Sequence, residues 1–120
     1  MARLICTIAI ISIALMCVLA EEEKYNDKYD NVDPVAILAN EKLREQYYNC
    51  FMAIGPCVTA DQKFFNELIS EAFQTQCKKC TERQKYMLDT ISDWYTKNQP
   101  EKWNRFVAKS IEDMKKKAKQ

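Results

Sequence analysis

Apolar side chains recur at intervals of three and four residues in four segments of the chain. This spacing places them on one face of an α-helix and predicts four amphipathic helices, the first beginning at about Glu41. The four faces are Leu43, Tyr47, Cys50, Phe51 and Ile54; Phe64, Phe65, Leu68, Ile69, Ala72 and Phe73; Met87, Leu88, Ile91, Trp94 and Tyr95; and Trp103, Phe106, Val107, Ile111 and Met114. No segment alternates between apolar and polar residues for long enough to predict a β-strand. The pattern indicates an all-α protein.

Capping residues mark where these helices begin. Asp33 followed by Pro34 is typical of an N-cap and a first helical residue, and predicts a further short helix through Leu38. Thr59 and Thr81 each stand three residues before a glutamine, which predicts a capping box at a helix start. Together these signals predict a compact bundle of five to six short helices.

Helix-breaking residues mark two of the ends. Gly55 and Pro56 are predicted to end the helix that begins at about Glu41, which is the second along the chain. Glycine tolerates a left-handed cap, and proline cannot continue the hydrogen-bond ladder. Asn98 and Gln99 are predicted to end the fourth helix, and Pro100 to start the fifth.

Residues 21–32 are polar and contain two tyrosines. We expect this segment to lie as an extended arm in front of the first helix. Its only firm contacts are expected to come from Tyr25 and Tyr29, because the remaining side chains are well solvated.

Residues 1–20 are predicted to be a signal peptide. Arg3 supplies a positive start, an apolar run follows, and Val18 and Ala20 place compact residues before the expected cleavage site. The run is followed by three glutamates, without the basic cluster that follows a signal anchor. We expect cleavage after Ala20 and secretion of residues 21–120 to the extracellular space. That length suits a single helical domain with no stable membrane insertion after cleavage.

Composition excludes several classes of function. Loss of Arg3 with the leader leaves 18 − 1 = 17 basic residues against 17 acidic ones. A net charge near zero argues against nucleic acid as a partner. The sequence contains no histidine, the commonest general base, and its single glycine cannot build a glycine-rich phosphate loop. We therefore expect a monomer that is not an enzyme and has neither a cofactor nor a bound metal.

Cysteine usage points to disulfides. Two of the six cysteines lie in the leader, and an even number in an oxidising compartment favours disulfide bonds. The four that remain are Cys50, Cys57, Cys77 and Cys80. Three pairings are possible; two local bridges would close helix corners, but the spacing does not exclude the two crossed arrangements.

Two other roles for these cysteines are disfavoured. Lysines between Cys77 and Cys80 would lower a thiol pKa and suit a redox dithiol, yet the strand context of a thioredoxin-like site is missing. Zinc binding is disfavoured because six residues separate Cys50 from Cys57, where two to four are usual.

Five motifs occur in order along residues 25–107. They are YNDKYDNVD at 25–33, YYNC at 47–50, GPC at 55–57, CKKCTERQ at 77–84 and PEKW at 100–103. Together they resemble the insect chemosensory proteins, also called the OS-D family. The resemblance implies a secreted bundle of six helices with disulfides Cys50–Cys57 and Cys77–Cys80. It also implies a channel for small apolar ligands, such as fatty acids, long-chain alcohols, esters and pheromone-like semiochemicals.

The resemblance also implies positions for ligand contact. Tyr29, Tyr47 and Trp103 match the pocket region, Ile37 lies on the short first helix that faces the channel, and Asp30 matches a carboxylate near its mouth. After Trp103 the family usually continues with a Lys-Tyr-Asp-Pro stretch, whereas residues 108–113 continue here with a helical pattern.

The apolar faces supply further candidates for the channel wall. These are Leu43, Leu68, Phe73, Met87, Ile91, Trp94 and Phe106. Helical stripes exist mainly to be buried, so each of these residues also suits an ordinary core. The favoured hypothesis is a chemosensory carrier of hydrophobic ligands. The alternative is a secreted signalling or developmental factor that acts through a protein partner on its surface.

Overall fold

The computed structural model describes residues 23–119, which form five α-helices and no β-strand. They are α1 (Pro34–Ala39), α2 (Glu41–Phe51), α3 (Ala60–Gln74), α4 (Glu82–Asn98) and α5 (Pro100–Ala118). The predicted all-α bundle is therefore confirmed. The predicted signal peptide, with its cleavage site and two cysteines, lies outside the described residues.

The first two helices meet at a single residue. The Asp33 carboxylate accepts hydrogen bonds from the amides of Val35 (3.0 Å) and Ala36 (3.3 Å), which confirms it as the N-cap of α1. Asn40 ends α1 and caps α2, because its side-chain oxygen accepts from the Leu43 amide at 3.1 Å. This shared cap fixes α1 directly against the start of α2.

The capping box predicted at Thr81 is present. Its hydroxyl oxygen accepts from the Gln84 amide at 3.1 Å, and the Gln84 side chain accepts from the Thr81 amide at 2.9 Å. The Thr81 hydroxyl also donates to the Asp30 carboxylate at 2.9 Å. The start of α4 is therefore joined to the N-terminal arm.

The box predicted at Thr59 is only half correct. Thr59 accepts from the Gln62 amide at 3.2 Å, as an N-cap should. The Gln62 side chain instead turns inward, where it accepts from the Val58 amide (2.9 Å) and donates to Gln46 (2.7 Å). Gln62 is completely buried, so its amide satisfies interior groups rather than the cap.

The predicted end of α2 was wrong. The helix ends at Phe51, four residues before Gly55, and the left-handed residue is Ala53, with φ of 61°. Ile54 is 70% exposed and does not belong to the apolar face. The Cys50–Cys57 disulfide spans this turn with its Cα atoms 4.7 Å apart, so the chain must reverse within the seven residues after Cys50, and an early end of the helix leaves room for that reversal.

The disulfides join Cys50 to Cys57 and Cys77 to Cys80, with Cα separations of 4.7 and 4.9 Å. This is the pairing that the family resemblance implied. The first bridge closes the turn after α2, and the second lies between α3 and α4. Each bridge thus fixes a helix corner.

The core lies where the five helices meet. Helix α5 packs against α3 and α4, α1 packs against α2 and α4, and α2 packs against α3. Every helix contributes to the central buried cluster, which consists of Leu38, Tyr48, Ile69, Tyr95, Trp103 and Phe106. The core is therefore shared and rich in aromatic rings.

Helix α5 continues well beyond the PEKW motif at its start. It runs to Ala118, and polar contacts hold its second half on α3. Gln74 donates to the hydroxyl of the fully buried Ser110 at 2.8 Å, and Ser70 donates to Asp113 at 2.8 Å. The helical pattern of residues 108–113 thus corresponds to a packed extension of the last helix.

The N-terminal arm makes both of the contacts predicted for it. The Tyr25 hydroxyl donates to the Glu71 carboxylate at 2.6 Å, and the Tyr29 ring lies 5.1 Å from the Phe64 ring.

The expectation that these would be its only firm contacts was wrong. Gln84 donates to the Asn26 carbonyl at 2.9 Å, and Arg83 donates to the Asp30 carbonyl at 2.9 Å. Both bonds go to backbone carbonyls, which every residue has, so the sequence pattern could not predict that α4 would bind the arm through them.

Within residues 23–119, no helix has the length and apolar character needed to cross a membrane.

We predict that Thr81→Ala lowers the free energy of unfolding by about 1 to 2 kcal/mol, because it removes the N-cap of α4 and the hydroxyl bound to Asp30. Urea denaturation of the oxidised protein measures the change. Thr96→Ala is the matched control, since Thr96 is exposed within the same helix and should change stability by less than about 0.5 kcal/mol. Equal effects of the two substitutions would contradict the capping role.

Candidate functional site

A cavity lies between the five helices. Its empty volume is about 970 Å³, counting the part that opens to solvent.

Every helix contributes apolar or aromatic side chains to the wall. They are Pro34, Ile37 and Leu38 from α1; Tyr47, Tyr48 and Phe51 from α2; Phe65, Leu68, Ile69 and Ala72 from α3; Met87, Leu88, Ile91 and Tyr95 from α4; and Trp103 and Phe106 from α5. Most lie three or four residues apart along their helices, because the same stripes that bury the helices also face the cavity. The same apolar side chains therefore form both the core and the cavity wall.

The second disulfide forms part of this wall. Cys77 and Cys80 both line the cavity, together with Gln84 of the adjacent capping box. Cys77 has φ of 60°, a left-handed conformation that reverses the chain directly after α3. The bridge therefore holds the α3–α4 corner in place beside the cavity.

The structure brings seven of the twelve predicted ligand-binding residues onto the wall. They are Ile37, Tyr47, Leu68, Met87, Ile91, Trp103 and Phe106. These seven come from all five helices.

The other five predicted residues do not line this cavity. Three of them lie behind residues that do. Tyr29 packs against Phe65, Phe73 packs edge-on against Trp103 at 5.3 Å, and Trp94 lies under the guanidinium of Arg44 at 4.6 Å. Asp30 binds the start of α4, and Leu43 is half-buried on α2.

Sequence reasoning missed several wall residues. Tyr95 was assigned to an apolar face but not to the site, while Tyr48 and Arg44 fell outside the apolar stripes. Tyr48 follows Arg44 by four residues, so both lie on one helical face. That spacing was the signal available, but a tyrosine and an arginine one turn apart are equally typical of a solvated surface.

Tyr47 carries a polar group to the wall. Its hydroxyl donates a hydrogen bond to the Asp61 carboxylate. Burial, the hydrogen bond and the charge of Asp61 all raise the pKa of Tyr47, so it remains a neutral donor. Burial pushes the pKa of Asp61 upward, but hydrogen bonds from Thr59, Tyr47 and backbone amides outweigh it and lower that pKa.

Two further tyrosines line the wall, Tyr48 and Tyr95. Tyr48 donates to the Lys102 carbonyl at 3.1 Å. Tyr95 is 5% exposed, and its ring stacks on the Tyr48 and Trp103 rings. Burial, together with the nearby Glu45 carboxylate, raises the pKa of Tyr95 to about 12. Its hydroxyl is therefore neutral at physiological pH.

Comparison with known proteins identifies the family. Residues 25–118 match the sequence pattern of the insect pheromone-binding family A10/OS-D. The chain belongs to this family. Among relatives of this OS-D protein, the putative odorant-binding protein A10 of Drosophila melanogaster is 42% identical over 84 residues. That alignment covers 70% of this chain and 54% of the relative, so the chain spans about half of that protein's length.

Two other relatives align over more of their length. Ejaculatory bulb-specific protein 3 of Drosophila melanogaster is 33% identical over 102 residues, covering 85% of this chain and 79% of that protein. Allergen Tha p 1 of Thaumetopoea pityocampa is 35% identical over 101 residues, covering 81% and 79%.

A solved structure shares the fold of this OS-D protein. It is a chemosensory protein in complex with bromo-dodecanol, with a TM-score of 0.69 and 38% identity, over 75% of this chain and 89% of that one. OS-D proteins bind ligands and are not enzymes, in line with the expectation from the missing histidine.

We predict that Tyr47→Phe raises the pKa of Asp61, because the variant lacks the hydroxyl that stabilises the ionised carboxylate. NMR of the carboxyl carbon against pH measures it directly. A lowered pKa in the folded state stabilises the fold above the ordinary pKa of an aspartate, about 4, and this stability is lost as pH falls through the lowered value. The acid-dependent loss should therefore be smaller in the variant.

Tyr86→Phe is the control, because Tyr86 is exposed on α4. An Asp61 pKa that is the same in Tyr47→Phe and Tyr86→Phe would show that the hydrogen bond does not set the carboxylate's titration.

Proposed function

We propose that this OS-D protein is a carrier of small hydrophobic ligands, which it holds in the cavity between its helices. The cavity itself is the observation that supports this most strongly. Its wall is almost entirely apolar or aromatic and draws on all five helices. Such a wall can desolvate a hydrophobic molecule and requires few directed contacts from it.

Long-chain molecules are the ligands we propose: alcohols, fatty acids, esters and semiochemicals of similar shape. The related structure that contains bromo-dodecanol supports an alkyl chain as the common element. Transfer of about twelve methylene groups at about 0.8 kcal/mol each gives roughly 10 kcal/mol. Association costs reduce this toward about 8 kcal/mol, which corresponds to a micromolar dissociation constant.

The seven predicted residues on the wall are proposed to contact the ligand directly. For Tyr29, Asp30, Leu43, Phe73 and Trp94, ligand contact stays a prediction. Tyr29, Phe73 and Trp94 pack against wall residues from behind. Their substitution would change ligand affinity by altering how the wall is packed.

The proposed setting is extracellular, with a chemosensory role for a monomeric domain of residues 21–120. Two disulfides within the described chain support an oxidising compartment.

We predict that expression of the full sequence in insect cells delivers a protein to the medium that begins at Glu21. N-terminal sequencing and the intact mass measure this, since cleavage after Ala20 removes the leader. Retention of the complete chain in the membrane fraction would contradict both the cleavage and the extracellular role.

We predict that saturated alcohols of increasing length displace an apolar fluorescent probe from the oxidised protein with micromolar affinity and a clear optimum of length. Ile91→Phe should move this optimum to shorter chains, because the larger side chain occupies part of the cavity. Each excluded methylene costs about 0.8 kcal/mol, or about fourfold in affinity.

Ile111→Phe is the matched control, because Ile111 is 42% exposed and does not line the cavity. Its length profile should equal that of the wild type. Failure of the wild type to bind any probe or alcohol would contradict the carrier function and favour a factor that acts through a protein partner.

A further inference from the structure

Arg44 is the only charged side chain on the described cavity wall. Its side chain is 12% exposed, so most of the guanidinium has been removed from water. A buried cation is costly unless hydrogen bonds and an opposite charge compensate it. Its contacts therefore decide whether the charge is structural or available to a ligand.

The protein compensates this guanidinium only in part. Nη1 donates to the Leu38 carbonyl at 2.8 Å, and the group lies 4.6 Å from the centre of the Trp94 ring. The Nε–H is buried and has no hydrogen-bond partner among the described residues. A guanidinium has five N–H donors in a planar fork, so most of its capacity for an anion is unused.

The nearest carboxylate does not meet this need. Glu45 approaches Arg44 Nε at 3.9 Å, which is beyond hydrogen-bond distance. Its other oxygen is in direct contact with Lys102 Nζ. Glu45 is thus paired mainly with Lys102, and Arg44 keeps a surplus of positive charge at the cavity.

A second polar side chain lies on the same wall. Tyr95 lines the cavity, and its hydroxyl can donate a hydrogen bond to an anion. Tyr95 and Trp94 are consecutive, their rings are 4.9 Å apart, and Arg44 covers Trp94. Tyr95 also stacks on Tyr48 at 5.9 Å, and Tyr48 follows Arg44 by one helical turn, so Arg44 and Tyr95 are neighbours on the wall.

We propose that Arg44 and Tyr95 form a head-group site that binds the carboxylate of a fatty acid. The planar guanidinium supplies charge-assisted donors, and the Tyr95 hydroxyl supplies a neutral one. The alkyl chain then runs along the apolar wall past Ile91 and Met87. The head-group site rests on the proposed carrier function. It gives the cavity a polar end and makes fatty acids its preferred class of ligand.

The test compares two ligands of equal chain length, laurate and dodecanol, in displacement of N-phenyl-1-naphthylamine. Both are used below their solubility limits, and the readout is the ratio of their affinities for each protein. The variants are Arg44→Met, which keeps the length of the side chain without its charge, and Tyr95→Phe. The control is Arg105→Met, which removes one positive charge from an exposed site on α5.

The ratio of laurate to dodecanol affinity is expected to fall about tenfold in Arg44→Met and about threefold in Tyr95→Phe. In Arg105→Met it should remain within about twofold of the wild-type ratio. A purely structural role for Arg44 would weaken both ligands alike and leave the ratio unchanged, which would overturn the head-group site.

The outcomes separate this proposal from the carrier function. If dodecanol displaces the probe and the ratio is the same in all four proteins, the carrier function stands and the head-group site is wrong. If neither ligand displaces the probe from the wild type, both are wrong. If Arg44→Met does not fold, Tyr95→Phe decides: a reduced ratio supports the site, and an unchanged ratio overturns it.

Discussion

A stack of aromatic rings holds the bundle together beside its own cavity. The Tyr48 ring stacks on Tyr95 at 5.9 Å, Tyr95 on Trp103 at 6.2 Å, and Trp103 on Phe106 at 5.1 Å. These rings join α2, α4 and α5 and are almost completely buried. Aromatic pairs contribute about 0.5 to 1.5 kcal/mol beyond their buried area, so three short helices can be fixed without filling the space between them.

The other side of the cavity depends on local constraints. The Cys77–Cys80 bridge and the left-handed residues before it turn the chain between α3 and α4. The N-terminal arm binds that same corner through Tyr25, whose amide donates to the Lys79 carbonyl at 2.8 Å. Cross-links and caps thus replace part of the packing that a filled core would provide.

Periodicity predicted α2 to α5 well because each has a strong apolar stripe, and the Asp33 cap followed by Pro34 predicted the short α1. It failed at the end of α2, where the disulfide overrides glycine and proline, and at Gln62, where a buried amide network overrides the capping box. Both failures involve contacts between residues whose spatial proximity the local pattern does not encode.

The candidate site was predictable only in part for a related reason. An apolar residue has the same pattern whether it fills a core or lines a cavity, so Leu68 and Phe73 were equally good candidates although only Leu68 lines the wall. Arg44 could not be recognised at all, because its burial depends on α1 and on the Trp94 ring of α4. The cavity and the buried Arg44 on its wall are formed only when all five helices pack together.

The most direct test of a ligand-binding cavity is a crystal structure of the oxidised protein with bromo-dodecanol, located by the anomalous signal of its bromine. A carrier predicts one strong bromine peak between the helices, with alkyl density in contact with Met87, Ile91 and Trp103. Bromine found only on the surface, with the interior closed by side chains, would contradict the central claim that this bundle surrounds a binding cavity.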